Sequence, residues 1–155
     1  MPKPIPDGYH AVTPYLVCAD AGRAIDFYKK VFGAEERLRI AAPGDKVGHA
    51  ELVVGGSTIM LADEHPEMGA RAPAAFGGSP VTLVLYVADV DATVACAVES
   101  GARVQRPVED KFYGDRMGTI VDPDGHVWHV ATHVEDVPPD ELLRRAAEAV
   151  KAAEG

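Results

Sequence analysis

The sequence repeats itself, and the repeat limits the folds that this chain can adopt. The segment from Leu16 to Ala34 matches the segment from Leu85 to Ala102 at an offset of about 69 residues, and the second copy is one residue shorter. Each copy runs from an apolar stretch into Ala-Asp, continues through a helical stretch and ends at Gly-Ala. Because repetition at such a period marks a duplicated supersecondary unit, we expect two copies of one module.

Each copy is predicted to contain one amphipathic helix. Asp20 and Asp89 are suited to cap the two helices, because an Asp carboxylate accepts hydrogen bonds from the free N–H groups of a first turn. Gly33 and Gly101 stand where a left-handed residue ends a helix. Apolar residues recur at helical spacing on one face, namely Ala24, Ile25, Tyr28, Val31 and Phe32 in the first copy and Val90, Val94, Ala97 and Val98 in the second.

Three strand-like segments follow each helix. They are residues 36–40, 47–54 and 57–62 in the first copy, and residues 103–106, 116–121 and 127–132 in the second. The dipeptide Gly55-Gly56 and the turn Asp122-Pro-Asp-Gly125 are typical connections between hairpin strands. With the strand before each helix, the chain is predicted to be α+β, with two βαβββ modules.

The length of 155 residues fits one domain. We place the first module at about residues 10–63, a linker rich in Gly, Pro and Ala at 64–79, and the second module at about residues 80–134. The linker is either a plain connection or a cover for a cleft. A last helix at residues 138–154, with Leu142, Leu143, Ala146 and Val150 on one face, is expected to dock on its own domain or on a partner subunit.

Composition excludes several classes of protein. The net charge of −9 argues against nucleic-acid binding, which needs a basic face. It also hints weakly at a cationic ligand, although net charge usually reports solubility. No apolar run approaches the roughly 18 residues that a membrane span needs, so we expect a cytoplasmic protein without membrane contacts. Cys18 and Cys96 lie in predicted apolar elements and are interpreted as buried thiols of a reducing compartment.

Five further motifs connect the chain to a known superfamily. They are Pro14-Tyr-Leu, His49-Ala-Glu-Leu, Ile59-Met-Leu-Ala-Asp63, Tyr113-Gly-Asp-Arg116 and the segment from Asp122 to His133. With the duplicated module, they resemble the vicinal oxygen chelate superfamily, which includes glyoxalase I and bleomycin-binding proteins, over about residues 10–134. Within that superfamily the motifs look most like the PhnB-like branch. The resemblance implies a curved mixed sheet around a cleft, a small organic ligand and a homodimer.

The resemblance also implies where a metal would bind. Metal-dependent relatives take a His from the first strand and a Glu or His from the last strand of each module. Those positions fall here at Thr13 or Pro14, Met60, Thr82 and His129. Only His129 is a ligand for a divalent first-row metal, which needs three or four His or carboxylate donors. We therefore expect no cofactor. A divalent metal stays an alternative if the alignment to the superfamily is wrong by one residue.

Strand alternation places His129 and His133 on one face, with Trp128 on the other. If His129 faces the cleft, Trp128 packs against the helices. His129 is then a candidate acid–base and ligand contact, and His133 is either a second functional imidazole or merely solvated. His49 and Glu51 also share a face, where they form either a polar surface pair or a fallback metal site together with His129.

The loop before the segment 116–121 offers further ligand contacts. Arg116 could clamp a carboxylate or phosphate, or it could form a structural ion pair with Asp115. Phe112 and Tyr113 could stack on a flat ligand or pack within the loop. With His129, these four residues are the predicted ligand-binding set.

The resemblance to the superfamily implies two classes of function. The first is a metal-independent binding protein that sequesters a small organic molecule in resistance or detoxification. The second is a glyoxalase-like lyase or isomerase acting on a small oxygenated substrate. In the second class, a metal polarises vicinal oxygens or His129 acts as acid and base.

Overall fold

The computed structural model describes residues 1–155, and the order β-α-β-β-β occurs in it twice. The first module consists of β1 (Tyr15–Cys18), α1 (Ala21–Phe32), β2 (Glu35–Ala42), β3 (Lys46–Val54) and β4 (Ser57–Asp63). The second consists of β5 (Thr82–Tyr86), α2 (Val90–Glu99), β6 (Arg103–Asp110), β7 (Asp115–Val121) and β8 (Val127–His133). The predicted α+β fold of two βαβββ modules is confirmed.

Each module forms its own four-stranded mixed sheet. The strand orders are β1-β4-β3-β2 and β5-β8-β7-β6, so the two modules repeat one topology. The first strand of each module runs parallel to its last strand, with Tyr15 opposite Met60 and Val84 opposite His129. The other pairs are antiparallel. Within one chain the predicted curved surface is therefore built from two separate sheets.

Local hydrogen bonds begin and end the two helices where the sequence predicts. The Asp20 carboxylate accepts from the Arg23 N–H at 3.0 Å, and the Asp89 carboxylate accepts from the Ala92 N–H at 3.1 Å. Gly33 ends α1 with a φ of 66°, a left-handed conformation that glycine adopts without steric cost. These interactions span only a few residues, which is why the sequence pattern finds them.

One continuous hydrophobic core joins the two modules. The helices α1 and α2 contact each other, and the inward faces of both sheets contribute to the same cluster of buried side chains. Trp128 on β8 is 3% exposed and packs against α1, with ring centroids 5.4 Å from Tyr28 and 4.8 Å from Phe32. The prediction that Trp128 packs against the helices is confirmed. The opposite face of each sheet is left open.

The turn between β7 and β8 also anchors the first module. The Asp124 carboxylate accepts from the backbone N–H groups of Ala19 at 2.9 Å and Asp20 at 3.1 Å. The ring of His126 donates from Nε2 to the carbonyl of Val17 at 2.8 Å. A turn that the sequence identifies as a local hairpin connection thus holds the start of α1, about 100 residues away in the chain.

The last helix, α3 (Pro139–Glu154), does not bury its whole apolar face within this chain, where Leu142 and Ala146 are half-buried. Leu143 is 73% exposed and Val150 is 58% exposed. The helix is held instead by Arg145, which binds the Glu135 carboxylate at 2.7 and 3.0 Å and the Phe112 carbonyl at 3.1 Å. Docking of this face on its own domain and docking on a partner subunit both stay predictions. No helix of the chain combines the length and apolarity needed to cross a membrane.

The two cysteines are unpaired, as expected. Cys18 on β1 is fully buried in the core, and burial raises the pKa of its thiol. Cys96 on α2 is only partly buried. A thiol with a raised pKa is a poor nucleophile, so Cys18 acts as a core residue.

Candidate functional site

A cavity of about 320 Å³ opens over the middle of β7 and β8. Its centre is His129, whose cross-strand neighbour is Thr119. The Nδ1 atom of His129 lies 2.7 Å from the Thr119 hydroxyl, and Thr119 is 2% exposed. This hydrogen bond orients the imidazole. We call this space the His129 cavity; its lining residues are Arg106, Lys111, Phe112, Tyr113, Met117, Thr119 and His129.

The His129 cavity is cationic, although the protein as a whole is acidic. Arg106 and Lys111 line it, and no carboxylate does. Lys111 forms an ion pair with Glu109 outside the cavity lining, whereas Arg106 has no partner within the chain. Burial lowers the pKa of His129, and the positive charges of Arg106 and Lys111 lower it further. The imidazole is therefore neutral near pH 7, where it can accept or donate one proton.

Two predicted aromatic contacts reach the same cavity. The rings of Phe112 and Tyr113 pack edge to face, with centroids 5.3 Å apart at 87°. The Tyr113 hydroxyl points to the Met117 sulfur at 3.8 Å, and burial raises the pKa of that phenol. The structure thus brings together Phe112, Tyr113 and His129, three of the five residues predicted to bind ligand.

The other two predicted residues, Asp115 and Arg116, do not line the His129 cavity. The guanidinium of Arg116 binds Asp91 of α2 at 2.8 and 3.0 Å and Asp110 of β6 at 3.2 Å. The proposed ion pair between Asp115 and Arg116 is wrong, because strand alternation sends the two side chains to opposite faces of β7. The guanidinium of Arg116 is therefore bound by carboxylates of the chain itself and does not contact the cavity.

Asp115 belongs to a polar chain at the end of β8. It accepts hydrogen bonds from the Tyr86 hydroxyl and from Nδ1 of His133, both at 2.8 Å. The other ring nitrogen of His133 lies 2.7 Å from the Asp136 carboxylate. Hydrogen bonds to Asp115 and then to Asp136 raise the pKa of His133. The interpretation of His133 as merely solvated is wrong, since carboxylates bind both of its nitrogens.

The open face of the first sheet carries a second polar group. His49 Nε2 lies 3.0 Å from Glu51, and His49 Nδ1 lies 3.4 Å from the Tyr15 hydroxyl. The Tyr9 hydroxyl donates to the same Glu51 carboxylate. The hydrogen bonds from Tyr9 and then from His49 lower the pKa of Glu51. The sequence placed His49 and Glu51 on one face, but it did not identify Tyr9, which comes from the segment before β1.

The residues that the resemblance assigns to the metal positions do not match the needs of a divalent first-row metal. Thr13 and Met60 line one cavity of the first module, whereas Thr82 and His129 belong to the second sheet. The Thr13 hydroxyl already donates to the His10 carbonyl at 3.2 Å. A single imidazole with hydroxyl and thioether neighbours is a weak donor set, because such metals need several imidazole or carboxylate ligands.

The fallback set of His49, Glu51 and His129 is not brought together in one chain. His49 and Glu51 lie on β3 of the first sheet, and His129 lies on β8 of the second. No group of three or more His, Cys, Asp or Glu side chains has an arrangement suited to a metal. The structure therefore assigns His49 and Glu51 to a hydrogen-bonded surface pair with two tyrosines.

Comparison with known proteins agrees with this fold. An uncharacterized protein of Mycobacterium tuberculosis, Rv0887c, is 44% identical over 135 residues, which cover 85% of this chain and 79% of its own. The solved structure of the Arabidopsis thaliana protein At5g48480 shares 30% identity with a TM-score of 0.63, over 79% of this chain and 98% of its own. TioX from Micromonospora sp. ML1 shares 29% identity with a TM-score of 0.62, over 81% and 99%.

The sequence pattern of one superfamily spans both modules. It matches residues 9–130, from the segment before β1 to the middle of β8. This range contains nearly all of the duplicated βαβββ unit and the whole lining of the His129 cavity, and it leaves out the end of β8 and α3. The chain therefore belongs to the Glyoxalase/Bleomycin resistance protein/Dioxygenase superfamily.

Proposed function

We propose that this protein binds a small oxygenated organic anion in the His129 cavity, without a metal, and acts in resistance or detoxification. One observation carries the proposal: two cations and a neutral imidazole line a cavity that contains no carboxylate. Such a lining attracts anions and repels cations. The ligand charge is therefore opposite to the one that the net charge of the chain hinted at.

Each lining residue has a separate task in this proposal. Arg106, which has no partner within the chain, supplies a charge-assisted hydrogen bond that contributes roughly 1.5–3 kcal/mol. Lys111 adds a second positive charge. Phe112 and Tyr113 offer aromatic surface to the apolar part of the ligand. His129, oriented by Thr119, makes a directional hydrogen bond to a ligand oxygen.

The open sheet faces support a homodimer as part of the same proposal. Tyr15, Leu38 and Ile40 are exposed on the first sheet, and Val84 and Tyr86 are exposed on the second. Apolar side chains in such number on open faces are typical of surfaces that pair with another copy. Pairing would place a second sheet over the His129 cavity and exclude water from it.

We infer membership of the PhnB-like branch from the sequence motifs. A PhnB protein from Bacillus cereus shares the fold at 17% identity with a TM-score of 0.62, a likeness that concerns the fold alone. The proposed cytoplasmic location likewise rests on the sequence, through the two unpaired cysteines and the absence of a long apolar segment.

One observation favours a glyoxalase-like lyase or isomerase as a second candidate function. A neutral His129 with a lowered pKa is a suitable general base near pH 7. In that case His129 would take a proton from a carbon next to a carbonyl and return it to a neighbouring atom. Arg106 and Lys111 would stabilise the negative charge on the enolate oxygen.

Binding of phenylphosphonate, an aromatic dianion, tests the proposal. We expect phenylphosphonate to raise the melting temperature, because a ligand that binds only the folded state stabilises that state. We also expect it to shift the amide resonances of Thr119 and His129, which line the cavity. Arg106→Gln should weaken the affinity at least tenfold. Arg103→Gln is the matched control: Arg103 is exposed on the same strand and lies outside the cavity.

Three results would overturn the binding proposal: no shift at these residues at high concentration, equal weakening by both arginine variants, or tighter binding of the cation benzamidine. Incubation with small α-hydroxy ketones distinguishes the enzyme alternative from the binding function. Isomerisation that His129→Gln abolishes, while phenylphosphonate binding persists, would favour the catalytic function.

A further inference from the structure

A second cavity of about 460 Å³ lies beneath the linker between the modules. It shares no residue with the His129 cavity. Its walls come from the segment before β1, from β1, β5 and β8, and from the linker itself. We call it the linker cavity. Its apolar lining includes Val12, Val17, Pro73, Phe76, Leu83 and Val127.

The linker forms an ordered segment over this cavity, which we call its roof. Residues Pro73–Phe76 form a short 3₁₀ turn that ends at Gly77, where φ is 79°. The backbone N–H of the buried Ala72 donates to the Glu64 carboxylate at 3.0 Å. Pro73 is buried against Gly125 of the β7–β8 turn: a Cβ atom placed on Gly125 would lie 3.0 Å from the Cβ of Pro73. The roof is therefore attached at its first residues, Ala72 and Pro73.

Two polar side chains around the linker cavity are hydrogen-bonded within the chain, and one cation is not. The His126 ring donates to the Val17 carbonyl at 2.8 Å, and the Ser79 hydroxyl donates to the Val81 carbonyl at 3.1 Å. Arg71 lines the cavity from the roof and has no hydrogen-bond or ion-pair partner in the chain. An apolar space with one uncommitted guanidinium fits a ligand with an apolar body and a single anionic head.

We propose that the linker cavity binds an amphipathic organic acid, whose carboxylate pairs with Arg71 and whose hydrocarbon part lies between Val17, Phe76 and Leu83. The volume lies in the range of pockets that hold small ligands, roughly 300–1,000 Å³. Because Arg71 is exposed, the head-group contribution falls with added salt, whereas the apolar contribution does not. This site is additional to the His129 cavity and does not depend on it.

Decanoate and 1-decanol test the proposal, since they share a hydrocarbon chain and differ in charge. In two-dimensional NMR titrations of the full chain, we expect decanoate to shift the amide resonances of Val17, Phe76 and Leu83. 1-Decanol should bind at least tenfold more weakly. Arg71→Gln should weaken decanoate at least tenfold, and Arg103→Gln should leave it unchanged, because Arg103 lies outside this cavity as well.

A second variant tests the roof. Gly125→Ala should push against Pro73 and strain the turn, because φ of Gly125 is 93°, and it should weaken decanoate binding while phenylphosphonate still shifts His129. The proposal is overturned if decanoate shifts only the His129 cavity or the open sheet faces. It is also overturned if 1-decanol binds as tightly as decanoate, or if both arginine variants behave alike. Since each probe is followed at its own resonances, failure at one cavity is distinguishable from failure at the other.

Discussion

The Tyr28 hydroxyl on α1 donates a hydrogen bond to the Asp122 carboxylate, which belongs to the turn between β7 and β8 of the other module. The same carboxylate accepts from the Trp128 indole and from the backbone N–H groups of Asp124 and His126, each at 3.0 Å. Burial and the nearby Asp122 charge raise the pKa of Tyr28, so its hydroxyl stays protonated. One buried carboxylate therefore holds the helix of one module against the hairpin of the other.

Removal of this hydroxyl tests how much the contact stabilises the chain. We expect Tyr28→Phe to lower the free energy of unfolding by about 2 kcal/mol, because a buried hydrogen bond to a charged group is lost while the ring still packs. Urea denaturation measures the change. Tyr15→Phe is the control, since the exposed Tyr15 hydroxyl lies 3.4 Å from His49, and it should change stability by less than about 0.5 kcal/mol. Equal effects of the two variants would refute this assignment.

The two modules hold their helix starts with different chemistry at equivalent positions. Asp63, at the end of β4, accepts from the N–H groups of Ala21 at 2.7 Å and Val47 at 2.6 Å. Its counterpart Thr132 on β8 accepts from the Val90 N–H at 3.0 Å. We expect Asp63→Ala to lower the free energy of unfolding by about 3 kcal/mol and Thr132→Val by about 1 kcal/mol, because only the first loss removes a charged acceptor.

Chemical denaturation of both variants under one set of conditions decides this prediction. The comparison is internally controlled, since both changes remove a polar group at the same place in the duplicated fold. A larger loss for Thr132→Val than for Asp63→Ala would contradict it.

The charges around His129 should be measurable without any ligand. Because Arg106 and Lys111 help burial to lower the pKa of His129, Arg106→Gln should raise that pKa. An NMR titration of the ring protons checks the shift, with Arg103→Gln as the variant that leaves it unchanged. Bound phenylphosphonate should raise the pKa as well. A pKa of His129 that does not respond to Arg106→Gln would remove the electrostatic basis of the proposed anion site.

His133 should make the stability depend on pH in one direction. Its pKa is raised above the ordinary value of 6.5, first by Asp115 and then by Asp136, so the folded state binds its proton more tightly than the unfolded state does. The resulting stabilisation is complete below about pH 6.5 and is lost as the pH rises through the raised value. The gap in melting temperature between the native chain and His133→Gln should therefore be large at about pH 5.5 and small at about pH 9.

Asp136→Asn provides the matched control for this titration. Asp136 is exposed and contacts His133 through Nε2 only, so its replacement should lower the pKa of His133 while the bond to Asp115 remains. An imidazole that titrates at or below the ordinary value in the unmodified chain would show that these carboxylates do not stabilise its charge.

Much of the fold was predictable because its signals are local. The caps at Asp20 and Asp89 and the left-handed Gly33 act within one helical turn. Strand alternation correctly separated Trp128, which is buried against α1, from His129, which lines a cavity on the other face. The duplicated pattern then determined the fold class, because two copies of one βαβββ module can pack together in only a few ways.

The candidate site was predictable only in part. Phe112 and Tyr113 were expected to contact ligand, and they line the His129 cavity. Arg106 and Lys111, which give that cavity its charge, were not identified. Arg106 reaches His129 only through the pairing of β6 with β7 and of β7 with β8, and Lys111 directly follows β6. A charged residue on an outer strand has no local signal that tells which cavity it lines.

The sequence by itself determined the two βαβββ modules and their helix starts, because each depends on residue type and short spacing. Only the tertiary structure decided the partners of the charged groups. Arg116 binds Asp91, which lies 25 residues away on α2, instead of a ligand. Tyr28 meets Asp122 across 94 residues. Such pairs depend on how the sheets and helices pack. Because the packing energy is spread over the whole core, no single segment of the sequence determines these pairs.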